Sequence, residues 1–433
     1  MMSAAFRIRA LRAVGAMLLG LGLHAAAAAA DAELPGEMLV RLRSTAALGP
    51  LLLKYELSLV SQFGARPIYR LKGIGLADVH PKIEAMALEP NVLSVEPNFA
   101  HSSPEARRNN AWAIGTPQAY TAQWAPQSLR LREAHRLTVG AGVRVAVLDT
   151  GVDRTHPALA GRLLAGFDFV DFDADPSEVG SSLNISFGHG THVAGLVALV
   201  APGAQIMPLR VLDAEGVGNA WVLVEAMLYA VDPDHNPMTD DGAHVINMSL
   251  GSTNRTQLLD SVAKLAACAI PAAVEEPADD FTDPGYNADK DRCASSSGAV
   301  IVAAAGNDAT DAIRQYPAAE GSYGLLAVGA SNADARLAAF SSFGSWVDLA
   351  APGEGITSSV PGGGYGTWSG TSMAAPLAAG TAALVRALNP DMQAKNLARR
   401  LVQLSSALCG TRLRQVDAAA AVLNVMPPDN GCP

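Results

Sequence analysis

The chain has 433 residues, of which 49% are hydrophobic and only 17% charged, with a formal net charge of −10 at neutral pH. That length holds one small and one large domain with a sizeable core, and the apolar content excludes a disordered chain. The acidic balance disfavours DNA, RNA and anionic membranes as partners.

Residues 1–30 carry Arg7, Arg9 and Arg12, then an apolar stretch through Leu23 and an alanine run. A basic end, a short apolar core and a small-residue exit mark a secretory signal peptide, with cleavage expected near Ala28 to Ala30. The product is then exported, periplasmic or secreted, without stable membrane association. No other segment offers the ~18–20 apolar residues of a membrane span. From about Asp31 to Asn98 the predicted elements are a strand Met38–Leu42, a helix Leu51–Gln62 and a strand Arg66–Leu71. A helix Pro81–Leu88 and a strand Val92–Glu96 follow. This βαββαβ-like order predicts a small α+β, ferredoxin-like unit. The polar tract His101 to Asn110 suits an exposed processing loop.

Val143 to Leu148 is a continuous apolar, β-branched run, as in buried parallel strands, and it ends at Asp149-Thr150-Gly151. Catalytic groups commonly occupy the carboxyl ends of such strands, although an aspartate there is more often a turn former or helix cap. Gly188-His189-Gly190-Thr191-His192 then starts an apolar helix on a histidine. Two histidines three apart would suit a metal, but no Glu or Cys at ligand spacing accompanies them. Gly216-Val217-Gly218 reads as a turn, or as an edge that a second backbone can approach closely. The strand Val245–Met248 runs into Ser249-Leu250-Gly251, and Val302-Ala303-Ala304-Ala305 runs into Gly306-Asn307. Finally, Gly370-Thr371-Ser372-Met373-Ala374-Ala375-Pro376 sets a serine at the start of an apolar helix reaching Leu388. Orphan N–H groups and the dipole at such a terminus favour a developing anion. A serine hydroxyl needs that help and a base to act as a nucleophile, and taken alone it is also a plain helix cap.

In this order, Asp149-Thr150-Gly151, His189-Gly190-Thr191-His192 and Gly370-Thr371-Ser372-Met373-Ala374 resemble the signature set of the subtilisin-like serine proteases. The likeness covers roughly Trp124 to Val422. It implies an α/β, three-layer fold around a central parallel sheet, and a serine endopeptidase. Roles carried over from the family make Ser372 the nucleophile, His189 its base and Asp149 the group that orients His189. Asn307, with the Ser372 N–H, would hold the oxyanion. A peptide substrate would add as a strand between Gly216–Gly218 and Ser249-Leu250-Gly251. Ala304, Gly306 and a loop near Gln315-Tyr316-Pro317 would complete the main specificity pocket. No acidic residue is evident at its base, which predicts a broad apolar preference. The segment Glu89 to Asn98 resembles the end of the family's inhibitor-type propeptide. That likeness makes 31–105 a folding chaperone and intramolecular inhibitor removed by self-cleavage, and 106–433 the protease domain. The expected partners are polypeptide substrates and this propeptide, for a monomer that requires no cofactor.

Four cysteines lie in the exported part, and pairing by proximity gives Cys268–Cys293 and Cys409–Cys432. The first would staple an acidic insertion, Glu275 to Asp291. The loop that binds calcium in many family members is missing after Val193–Val200, and Ala158 stands where a calcium-binding aspartate is frequent. Two acidic stretches, Asp168 to Glu178 and Asp232 to Asp241, remain; a solvated loop is the expected role for the second, with calcium the alternative.

Overall fold

The computed structural model describes residues 32–64, 66–75, 78–103, 111–236, 239–269, 293, 296–429 and 431–432, with 111–114 described by backbone alone. The N-terminal unit runs β1 (Glu33–Leu42), α1 (Leu48–Tyr55), β2 (Leu57–Gln62), β3 (Ile68–Gly73), α2 (His80–Met86) and β4 (Val92–Ser102). Its strands pair antiparallel in the order β2-β3-β1-β4. Met38, Val40 and Leu42 from β1 meet Tyr69 and Leu71 from β3 in its core, the two-residue period of a half-buried sheet.

Two expectations are corrected here. The predicted helix Leu51–Gln62 stops at Tyr55, because Glu56 takes a left-handed conformation (φ 50°, ψ 56°) and its N–H closes on Leu52 O. Leu57–Gln62 then becomes β2, the strand that completes the βαββαβ pattern. The tract from His101 is not an exposed loop where it is described. His101, Ser102 and Ser103 are buried, with β4 extending to Ser102. The rest of that tract lies outside the described residues.

The larger domain begins with β5 (Ala111–Gly115) and three short helical turns, then β6 (Arg144–Asp149) and β7 (Phe167–Asp168). α3 (His189–Val200), β8 (Gln205–Arg210), β9 (Val217–Asn219), α4 (Ala220–Val231), β10 (Val245–Met248) and α5 (Gln257–Ala266) follow. Next come β11 (Val300–Ala304), β12 (Leu325–Ser331), β13 (Leu349–Pro352), β14 (Ile356–Val360) and β15 (Gly364–Trp368). The chain ends with α6 (Thr371–Leu388), α7 (Ala394–Gln403), β16 (Ser406–Ala407), β17 (Arg414–Gln415) and α8 (Ala418–Leu423).

Nine strands form one sheet in the order β16-β17-β13-β12-β11-β10-β6-β8-β7. Every neighbouring pair is parallel except β16–β17. β10, β11 and β12 are buried at every residue, which is why they read as unbroken apolar runs. α6 crosses the middle of this sheet and packs against α3. The chain moves from β6 outward to β8 on one side and returns to β10 on the other. A crevice therefore opens at the carboxyl ends of β6 and β10, where such sheets bind ligands.

Both disulfides form as the spacing predicted, Cys268–Cys293 and Cys409–Cys432. The insertion Glu275 to Asp291 lies outside the described residues. Among the described residues, no helix is long and apolar enough to cross a membrane.

Candidate active site

Asp149 ends β6 and His189 opens α3, and both are buried. His189 Nδ1 lies 2.7 Å from Asp149 Oδ1, which also accepts the Thr150 N–H at 2.8 Å. Gly190 permits this approach. A Cβ there would stand 2.1 Å from Gly151 O and 3.1 Å from Asp149 Cβ. His192, three residues on, goes elsewhere. Its Nε2 lies 3.1 Å from Gly366 O, and its ring stacks on Trp368 with centroids 4.5 Å apart and planes 1° apart. Burial, with His189 nearby, pushes its pKa down to about 3, so it is a neutral packing group. The two histidines do not converge as a metal pair.

Ser372 sits in the first turn of α6. Its Oγ lies 3.2 Å from Ser249 O, and Ser249 Oγ donates in return to Ser372 O at 2.9 Å. Asn307 follows β11. Its Oδ1 accepts from Thr371 N–H at 2.9 Å and from Thr371 Oγ1 at 3.1 Å, while Thr371 Oγ1 accepts the Gly306 N–H at 3.0 Å. With the oxygen held by Thr371, the amide's Nδ2 is turned the other way as a donor. Asp149, Ser249 and Asn307 thus stand at the carboxyl ends of three adjacent parallel strands, with His189 and Ser372 at the starts of two packed helices.

The groove beside them holds the end of β4. Ala100, His101 and Ser102 pair antiparallel with Asn219, Gly218 and Val217. Ser103 N–H donates to Gly216 O at 3.1 Å. On the other side, Ser102 N–H donates to Gly251 O at 3.0 Å and Gly251 N–H to Ser102 O at 2.9 Å. The pairing is close at Gly216, where φ is +76° and a Cβ would stand 2.8 Å from Ser103 Oγ, while a Cβ on Gly218 would meet Val211 O of the larger domain itself at 2.3 Å.

The description "Subtilase family" fits a sequence model matching residues 140–420. The chain belongs to the subtilase family. A thermophilic serine proteinase from a Bacillus species is 34% identical over 321 residues, covering 72% of this chain and 67% of that protein. Thermitase from Thermoactinomyces vulgaris is 33% identical over 305 residues, covering 68% of this chain and 92% of thermitase. The crystal structure of fervidolysin from Fervidobacterium pennivorans, a keratinolytic enzyme related to subtilisin, matches with a TM-score of 0.68. That likeness, at 23% identity over 91% of this chain and 62% of fervidolysin, is one of fold. This subtilase is a serine endopeptidase with the subtilisin-like α/β fold.

Several groups around the subtilase site escaped the sequence reading. Leu250, Ala304 and Gly306 are buried, and Gln315, from the loop expected near the pocket, lies between Gly251 and Gly306. A Cβ on Gly306 would stand 2.6 Å from Gln315 Cγ, and one on Gly251 would stand 3.1 Å from Gln315 Oε1. Gln315 Nε2 donates to Asp308 Oδ2 at 3.2 Å. This contact sets one carboxylate behind Gln315, and it leaves the expectation of no acidic residue at the pocket base as it stood. Asp308 arrives simply as the residue after Asn307, a position that reveals nothing about where its carboxylate points. Of the acidic stretches, Asp168 pairs with the buried Arg210. Glu178 bonds to the start of α3. Asp232, Asp234 and Asp241 bring ligand atoms within 4.8 Å of one another.

Proposed function

We propose that this subtilase is an exported endopeptidase made as a self-processing zymogen, with Asp149, His189 and Ser372 as its triad. The observation that carries the triad is the buried 2.7 Å Asp149–His189 contact, made at the start of the helix that packs against α6, which bears Ser372 in its first turn. In the mechanism, Ser372 Oγ attacks the scissile carbonyl and its proton passes to His189 Nε2. Asp149 holds Nδ1–H, fixes the tautomer and stabilises the imidazolium. Negative charge then grows on the carbonyl oxygen, where Asn307 Nδ2 and the Ser372 N–H donate to it, aided by the positive end of α6. His189 returns the proton to the leaving amine, and water repeats the sequence to release the acyl group. The residues supply base, acid and oxyanion donors, so no cofactor is needed for these steps.

The substrate reading has its own support. Ala100–Ser103 already lies as an added strand between Gly216–Asn219 and Gly251, the arrangement by which an extended peptide would bind. We read 31–105 as the intramolecular inhibitor and 106–433 as the protease, with a monomer acting on polypeptides after export. Wild-type chain and Ser372→Ala are expressed with casein and a fluorophosphonate. The wild type is expected to shorten, label and cleave casein, while Ser372→Ala stays full length and unlabelled. A wild type that neither shortens nor labels removes the protease reading.

A further inference from the structure

Glu178 has no role in the reaction above, yet its carboxylate meets both elements that make the triad's acid–base pair. Oε1 accepts from Thr191 N–H at 3.0 Å and Thr191 Oγ1 at 3.0 Å, and Oε2 accepts from Gly188 N–H at 3.0 Å. Thr150 Oγ1 donates between the two oxygens, at 3.2 Å and 3.1 Å. Thr150 directly follows Asp149 and gives it an N–H bond. Gly188 and Thr191 bracket His189. The Thr150 hydroxyl also accepts the Gly190 N–H at 2.9 Å, closing the ring. We propose that Glu178 is a positioning residue of the triad: it ties the end of β6 to the first turn of α3 and so sets the Asp149–His189 contact, an inference that rests on the protease reading above.

The chemistry of the four donor groups selects the ionised acid. Each presents a hydrogen, and only a carboxylate offers lone pairs to all of them. The positive end of α3 faces the charge. The titratable groups around it are Asp149 on β6, Asp153 beyond it, whose N–H bonds Thr191 Oγ1, and His189 and His192 on α3. Among the described residues no Lys or Arg pairs with it. Burial first, with the Asp149 charge acting in the same direction, pushes the Glu178 pKa up to about 7. Below neutral pH Glu178 therefore gains a proton in the range where an unperturbed histidine does too, and the bridge loses its acceptor as the base is lost.

Full-length wild type, Glu178→Gln and Glu178→Ala are matured, counted by fluorophosphonate titration and assayed on a peptide from about pH 5 to about pH 10. Both variants are expected to lose about tenfold or more in kcat with KM held within about twofold, because misplacement of the base acts on the chemical step. The acid limb of log kcat/KM should fall with two protons in the wild type and with one in Glu178→Gln. A kcat within about twofold of wild type and an unchanged acid limb would show a helix cap and nothing more, overturning the proposal. If neither variant folds, Thr150→Val replaces them, since it removes the shared hydroxyl and keeps the shape. The same kcat loss then supports the bridge, and wild-type kcat overturns it. A wild type that fails to label is a different result, the failure of the protease reading itself.

Discussion

The oxyanion role proposed for Asn307 rests on how its amide is held. Thr371 takes its oxygen through both N–H and hydroxyl, so only the nitrogen can face the groove. Asn307→Leu is expected to lower kcat by about 10²–10³, the loss known for the corresponding asparagine of subtilisin, with KM nearly unchanged; steady-state kinetics on a peptide tests this. Gln315 acts on a different quantity. It fills the gap between Gly251 and Gly306, so Gln315→Gly should widen the pocket. Its kcat/KM ratio for an aromatic against an alanine residue before the scissile bond should rise about tenfold, within the range one pocket group can supply. An unchanged ratio would place Gln315 outside the pocket. The four residues proposed as triad and oxyanion donor stand out in the sequence because each sits in an unusual local setting, a polar group ending an apolar strand or opening an apolar helix. Glu178, and the contacts that Thr150 and Gln315 make, do not. Their partners lie on other elements, and such contacts leave no periodic trace in the chain.

At the scale of elements, the buried parallel strands and α6 were read correctly since their apolar runs have no other home. The helix Leu51–Gln62 was misread for the opposite reason. Leu51, Leu52, Leu59 and Val60 satisfy either period over a short stretch, and the break at Glu56 is a backbone event with no proline or glycine to announce it. The disulfides are also element-scale devices. Cys409–Cys432, 23 residues apart, fastens the segment beyond α8 next to β16. The Cys409→Ser/Cys432→Ser double variant is expected to lose about 3 kcal/mol in the chain-entropy view, read as a melting temperature several degrees lower at undiminished kcat.

Across the whole molecule, the N-terminal unit and the protease touch through more than the groove. Glu96 of β4 caps α5 of the protease, accepting from Gln257 N–H at 2.8 Å and Leu258 N–H at 3.0 Å. Burial raises its pKa despite those bonds. A carboxylate whose pKa is raised in the docked state takes up a proton on docking. Docking is then strongest below its ordinary range and weakens as pH rises through the raised value. The inhibition constant of the separated N-terminal unit should therefore increase with pH across this interval, and Glu96→Gln should flatten the increase. A pH-independent constant in the wild type would show that Glu96 makes no contribution to the linkage.

β4 belongs to two bodies at once, since the sheet order β2-β3-β1-β4-β9 runs without interruption from one unit into the other. Cutting the covalent chain beyond Ser103 breaks none of those ladder bonds. Scission and liberation are consequently separate events on separate clocks. On the zymogen reading proposed above, the nicked molecule stays latent until the sheet parts, and each enzyme that opens digests the inhibitors of its neighbours. Activity in a dilute preparation should rise after a lag and then accelerate, and a few already opened molecules should abolish the wait.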